Sequence, residues 1–224
     1  MKKNIVFTIS RQFGSKGREI GRRLAEYLDI GYYNKEIMKQ IADDLDISPE
    51  FFEEKNLNDS GFLTMTRSPF GLSSITEFSV NGQFYEKAKD FIRSIANTES
   101  AVIIGRCSDY ILKDNPNCIS VFIYKDYEDR IRWAMDEYNV PKKKVERFVQ
   151  VKDSKRSGFY EYYTSRKWGD PENYDVMINM SKMTVEEAVD LLASIYDKRL
   201  GVSSIKGAFQ DQYLHHKDMS PDKA

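Results

Sequence analysis

Residues 5 to 21 place three cations and three glycines in one short segment, Ile-Val-Phe-Thr-Ile-Ser-Arg-Gln-Phe-Gly-Ser-Lys-Gly-Arg-Glu-Ile-Gly. The chemistry this suits is anion binding. Backbone N–H groups in a glycine turn converge on one spot, and a helix N-terminus behind the turn adds partial positive charge. Gly14, Ser15, Lys16, Gly17 and Arg18 form the candidate cradle, and Lys16 and Arg18 are placed to neutralise phosphate oxygens. A nucleotide polyphosphate is the expected ligand. The signature G-x-x-x-x-G-K-[ST] fits imperfectly. With Gly14 to Gly17 laid over its end, Arg11 falls on the first glycine, Lys16 on the second and Gly17 on the lysine. A plain strand-to-helix turn remains the alternative on spacing alone. If the missing lysine is replaced, Arg18 is expected to take the larger share and Lys16 the smaller, because a planar guanidinium holds two oxygens at once.

The elements that must position this segment are readable. The β-prone run Ile5 to Ile9 precedes it, and Ile20, Leu24 and Leu28 form one face of a helix from about Arg18 to Leu28. Gly31 and Tyr32-Tyr33 are expected to be extended. A helix is expected over Lys35 to Leu45, and Ser48-Pro49-Glu50 opens another. Residues 58–83 are rich in Ser, Gly, Asn and Thr and are expected to form a long loop. Phe84 to Asn97 reads as a helix with Phe84, Ala88, Phe91, Ile92 and Ile95 inward. Ala101 to Ile104 and Cys118 to Tyr124 are continuous apolar strands, the pattern of a parallel sheet covered on both faces. Helices are expected over Tyr127 to Tyr138 and, after Pro141, from Lys142 to about Arg156. Val176 to Met180 is the last strand. Thr184-Val-Glu-Glu187 is a capping box that opens a final helix running to about Leu200. The alternation of strands and helices predicts an α/β fold with a five-stranded parallel sheet.

Two further groupings carry chemistry. The strand ending at Ile104 runs into Gly105-Arg106-Cys107-Ser108-Asp109, and ligands of parallel α/β sheets sit beyond the carboxyl ends of strands. The glycine turn and Gly105-Arg106 are therefore expected to share one cleft. A surface arginine after a strand is the plainer reading of Arg106. Asp153 and Arg156 are three apart, so they share a helix face. They are either an intrahelical ion pair worth about 0.2–0.5 kcal/mol, or an acceptor site in which Asp153 takes a hydroxyl or amine and Arg156 a phosphate.

Composition bounds the rest. The 224 residues carry 34 Lys+Arg and 35 Asp+Glu, so the net charge of −1 gives no reason to expect nucleic acid or a membrane as partner. Charge is uneven: residues 130–168 hold eleven Lys/Arg and five Asp/Glu, while 43–59 hold seven acids and one lysine. The basic stretch suits a lid closing on polyphosphate, or equally a solvated helix face. Cys107 and Cys118 lack metal-ligand spacing and are expected to stay reduced, and no protein metal site is expected. His215 and His216 fall in the polar tail 201–224, a poor place to fix a catalytic ring. No apolar stretch approaches the roughly 18 residues of a membrane span, and a cytoplasmic location is expected.

Four segments together resemble the cytidylate kinase-like family: Ile9 to Gly21, Tyr-Tyr-Asn-Lys-Glu (32–36), Val-Ile-Ile-Gly-Arg-Cys-Ser-Asp-Tyr-Ile-Leu (102–112), and Trp168 through Tyr174-Asp175. The resemblance spans about residues 4–197. It implies a P-loop NTPase-like three-layer sandwich over residues 1–200, with a monophosphate-binding insertion at about 35–97 and a helical lid at about 127–168. It implies a transferase that moves the γ-phosphoryl group of ATP to CMP or dCMP with Mg2+, acting as monomer or homodimer on small nucleotides. By position, Gly14 to Glu19 hold donor phosphates and Lys16, Arg18 and Arg156 act in transfer. Asn34, Arg106, Asp109, Asp153 and Arg156 surround the acceptor, and Arg130 belongs to the lid. Five departures bear on activity. Gly17 stands at the loop lysine, Glu19 at a threonine, and Asn34 at an aspartate. Ile104 stands at an aspartate before Gly-Arg, and Val149 at an arginine. A nucleotide-binding protein with little kinase activity, or a kinase of another small acceptor, is the alternative.

Overall fold

The structure, a computed structural model, describes residues 3–34 and 73–201, and for residues 73–84 and 87 the backbone alone. Five strands form the sheet: β1 (Val6–Arg11), β2 (Gly31–Tyr33), β3 (Ala101–Ile104), β4 (Cys118–Tyr124) and β5 (Val176–Asn179). Their order is β2-β3-β1-β4-β5, and every pairing is parallel. β1 is central, in register Val6↔Ala101 with β3 and Val6↔Cys118 with β4. Because all strands run the same way, the turns after β1, β3 and β4 open on one edge. This is the expected α/β architecture.

Alternation of side chains along the strands divides the core in two. Ile5, just before β1, and Phe7 and Ile9 within it, with Val102, Ile104, Ile119, Val121 and Ile123, face α1 (Gly17–Leu28) and the last helix. Val6, Ala101 and Ile103 face α2 (Ser73–Thr98), which contributes Ala88, Ile92 and Ile95. The short α3 (Ser108–Ile111) adds Ile111 to that second face. α4 (Tyr127–Tyr138) and α5 (Lys142–Thr164) pair beside the carboxyl edge. α6 (Val185–Leu200) opens with the expected capping box: Thr184 Oγ1 accepts from Glu187 N–H, and Glu187 Oε2 accepts from Thr184 N–H.

Three expectations are corrected. Residues 73–83 belong to α2 rather than to a loop; Ser, Asn and Thr disfavour helix only weakly, and local context overrides them. α5 continues past Arg156 to Thr164, because Gly158 interrupts the periodicity without ending the helix, and Tyr160 and Thr164 beyond it are buried. β1 reaches Arg11, two residues past Ile9, since β4 continues to pair with it through Arg11↔Ile123. The expected helices at Lys35–Leu45 and after Ser48, and the tail from 202, lie outside the described residues.

Candidate functional site

The turn after β1 is a left-handed detour. Gly14 has φ 80 and Lys16 φ 62, so the chain swings from strand into α1 within five residues. Lys16 is the N-cap and its side chain makes no capping bond. The first-turn N–H groups of α1 therefore face the turn without a capping side chain, the arrangement that favours anions. Ser15 is fully buried, and its Oγ donates to the Gln12 carbonyl at 2.9 Å. Gln12 Oε1 accepts from Lys125 N–H at 3.2 Å, fastening the turn to the β4–α4 connection.

α4 and α5 hold the same turn from the other side. Phe13 N–H donates to Asp153 Oδ1 at 2.7 Å, and Arg130 donates to the Phe13 carbonyl at 3.2 Å. Arg130 also pairs with Asp153 Oδ2, and both side chains are largely buried. Arg156 donates to the Arg11 carbonyl at 3.2 Å, with Asp153 Oδ1 3.9 Å away. The Phe13 ring packs edge-on against Trp133 and Phe148 and near Ile131, Val145 and Val149. A Cβ at Gly14 would stand 3.2 Å from both Arg130 Cβ and Trp133, so α4 presses directly on the turn. The helical pair is thus packed on the cradle.

The second turn, after β3, is backbone-strained. Gly105, Arg106 and Cys107 have φ 73, 61 and 55 in succession. Non-glycine residues in this region cost about 1–2 kcal/mol each, and such outliers gather at functional sites. The Arg106 guanidinium lies 5.6 Å from the Phe159 ring centroid, and Phe159 abuts Tyr163, which stacks on Tyr85 of α2 at 4.2 Å.

Arg11, Arg18, Arg106 and Arg156 converge between the two turns. Burial first, then the guanidinium groups of Arg156, Arg18 and Arg106, hold Arg11 well below the ordinary arginine range; Tyr32 acts in the opposite sense. Like charges gathered in this way suit an anion. Arg11 is the residue that reading the sequence missed. The available signal was alternation: Ile5, Phe7 and Ile9 share one face, and Arg11 is the next position on it.

Other expected site residues fall elsewhere. Glu19 Oε1 accepts from Arg23 at 2.7 Å, in an ion pair that also involves Glu186 of α6. Asn34 follows β2, one strand beyond β3 along the same edge. Asp109 is buried on the second face of the sheet, where its Oδ2 accepts from Tyr160 Oη at 2.7 Å and its Oδ1 has no hydrogen-bond partner. Burial pushes this carboxyl up to about 6, while the Tyr160 hydrogen bond, the Asp109 and Tyr110 N–H groups and Arg166 act in the opposite direction. A polar cavity of about 550 Å³, lined by Asp109, Tyr174, Arg166 and Arg199, opens beyond it near the start of β4. Burial also raises both thiols, Cys118 to about 12, so neither is poised as a nucleophile.

The side chains at the positions where a P-loop kinase would hold magnesium do not fit the ion. Glu19 is engaged by Arg23, and Ile104 is buried with its Cδ1 against Gly21. Among the described residues, no group of three His, Cys, Asp or Glu could hold a metal, and no helix is long and apolar enough to cross a membrane.

The chain is similar to known proteins over nearly its full length. A crystallised uncharacterised protein of Eubacterium ventriosum ATCC 27560 matches at 30% identity and TM-score 0.65, over 87% of this chain and 99% of that one. The crystal structure of APE1195 matches at 15% identity and TM-score 0.51, over 89% and 98%, a likeness of fold. Shikimate kinase from Bacteroides thetaiotaomicron matches at 13% identity and TM-score 0.49, over 86% and 98%. No curated protein matches the sequence. The sequence model of the cytidylate kinase-like family matches residues 6–182, from the first residue of β1 to just beyond β5, and the chain belongs to the cytidylate kinase-like family.

Proposed function

We propose that the chain is a phosphotransferase of nucleoside monophosphate kinase type, moving the γ-phosphoryl group of ATP to a nucleoside monophosphate, with CMP or dCMP the first candidates. The observation that carries this reading is the convergence of Arg11, Arg18, Arg106 and Arg156 between two anion-suited turns at the carboxyl edge of adjacent parallel strands. Phosphoryl transfer depends mainly on positioning and on electrostatic stabilisation of charged oxygens. In the transfer, an acceptor phosphate oxygen bonds to the γ-phosphorus as its bond to the β-bridging oxygen breaks. The electron pair leaves with ADP. An acceptor that is already a phosphate monoester brings its own anionic nucleophile, and four guanidinium groups favour such an acceptor over a neutral alcohol. The Phe159 and Tyr163 rings beside Arg106 suit one that carries a planar base.

In this reading the Gly14–Arg18 turn holds the donor, Arg106 the acceptor phosphate, and Arg156 lies between them. Asp153 and Arg130 keep the turn in shape. The engagement of Glu19 by Arg23 favours a second reading, a nucleotide-binding protein with little turnover. A transfer assay with ATP, magnesium and a panel of CMP, dCMP, UMP, AMP and GMP separates the two. Activity on one monophosphate, lowered at least about tenfold in Arg106→Met at unchanged ATP affinity, supports the kinase. ATP binding with no transfer to any acceptor supports the second reading.

A further inference from the structure

Arg11 lies on the α1 face of the sheet, but past Ile9 that face emerges beneath the turn. Two glycines trace the path of its side chain. A Cβ at Gly17 would lie 2.6 Å from Arg11 Cβ and 3.0 Å from its Cγ. A Cβ at Gly105 would lie 2.5 Å from Arg11 Nη1. The stem of Arg11 therefore occupies the space that any side chain at position 17 would need, and its guanidinium reaches across to the second turn.

Position 17 is where the phosphate-loop signature carries its lysine. We propose that Arg11 replaces that lysine, its guanidinium binding polyphosphate oxygens of the donor at the floor of the cleft. The proposal rests on the reading of the Gly14–Arg18 turn as a donor-phosphate site. It accounts for the glycines at 17 and 105 together, since both leave room for one side chain. Lys16 and Arg18 are exposed at the rim, whereas Arg11 is partly buried beneath them. Among the described residues no carboxylate pairs with Arg11, and its charged neighbours are arginines. An arriving polyphosphate relieves that repulsion and receives a planar fork able to hold two oxygens.

Calorimetric titration with two probes tests this: ATP with magnesium, and inorganic tripolyphosphate, which has no base or sugar. Wild type is expected to bind both. Arg11→Met keeps most of the stem and removes the fork, and should weaken both probes by about tenfold to a hundredfold. Arg11→Lys should fall between, and Arg18→Ala should lose less than Arg11→Met. In Arg11→Gly/Gly17→Lys the Arg11 side chain is gone from its Cβ outward, and the nearest remaining atom to a Cβ at 17 is Ile123 Cβ at 3.4 Å, an ordinary contact. This double variant should bind more tightly than Arg11→Gly. If Arg11→Met does not fold, Arg11→Lys and the double variant decide. Wild-type affinity in the folded Arg11 variants, or a larger loss in Arg18→Ala, overturns the role of Arg11 while leaving the cradle intact. A folded double variant binding no better than Arg11→Gly overturns the exchange of one residue for the other. If wild type binds neither probe, the cradle reading falls and takes the proposal with it.

Discussion

Asp109→Asn should flatten part of the pH dependence of stability. In the folded chain the Asp109 carboxyl is 6% exposed and raised from 3.8 to about 6, chiefly by burial. The native state therefore binds more protons than the unfolded state between those values. Stability from this group is fully present below about pH 4 and is lost as pH rises through about 6. At about 1.4 kcal/mol per pH unit, the rise amounts to about 3 kcal/mol. Asparagine keeps an oxygen for Tyr160 Oη and never ionises. Urea unfolding of wild type and variant at several pH values between 4 and 7.5 measures the effect. Carboxylates common to both chains cancel in the difference. Wild type should lose about 2 to 2.5 kcal/mol relative to the variant across the window, the remainder lying below pH 4. Parallel profiles would show that the folded chain ionises Asp109 as easily as the unfolded chain does, and would refute the burial argument.

Asp153→Ala should destabilise the fold by about 3–5 kcal/mol in chemical denaturation, because it strands the buried Arg130 guanidinium and the Phe13 N–H. Thr184→Ala should cost about 1 kcal/mol through loss of the α6 cap, read as a small drop in melting temperature with unchanged nucleotide affinity.

Much of the frame was legible because it rests on local periodicity. The continuous apolar runs at β3 and β4 announced a sheet buried on both faces, and the Thr184 box marked the start of α6 to the residue. The beginning of α2 was not legible, since a Ser- and Asn-containing helix has no compositional mark. Site residues divided by the same logic. Gly14 and Gly105 could be placed on one edge because each follows the carboxyl end of an expected parallel strand. Asp153 offered only its spacing from Arg156, and its bond to Phe13 N–H crosses 140 positions. Arg11 looked like the end of a strand until Gly17 and Gly105 were seen against it. Pairings of that kind depend on which strands become neighbours, which no short window contains.

The central position of β1 has a consequence for how the chain is made. β1 is synthesised first, yet its partners are Val6↔Ala101 and Val6↔Cys118, 95 and 112 residues later. At about 5–20 residues per second, roughly 5 to 19 s separate the emergence of β1 from that of β3, the earlier of the two partners. For that interval the Ile5–Ile9 stretch has neither sheet neighbour, and its backbone donors and acceptors on both sides must be met by water, transient pairing or a chaperone. The strand that anchors the finished cleft is therefore the one left longest without its partners on the ribosome.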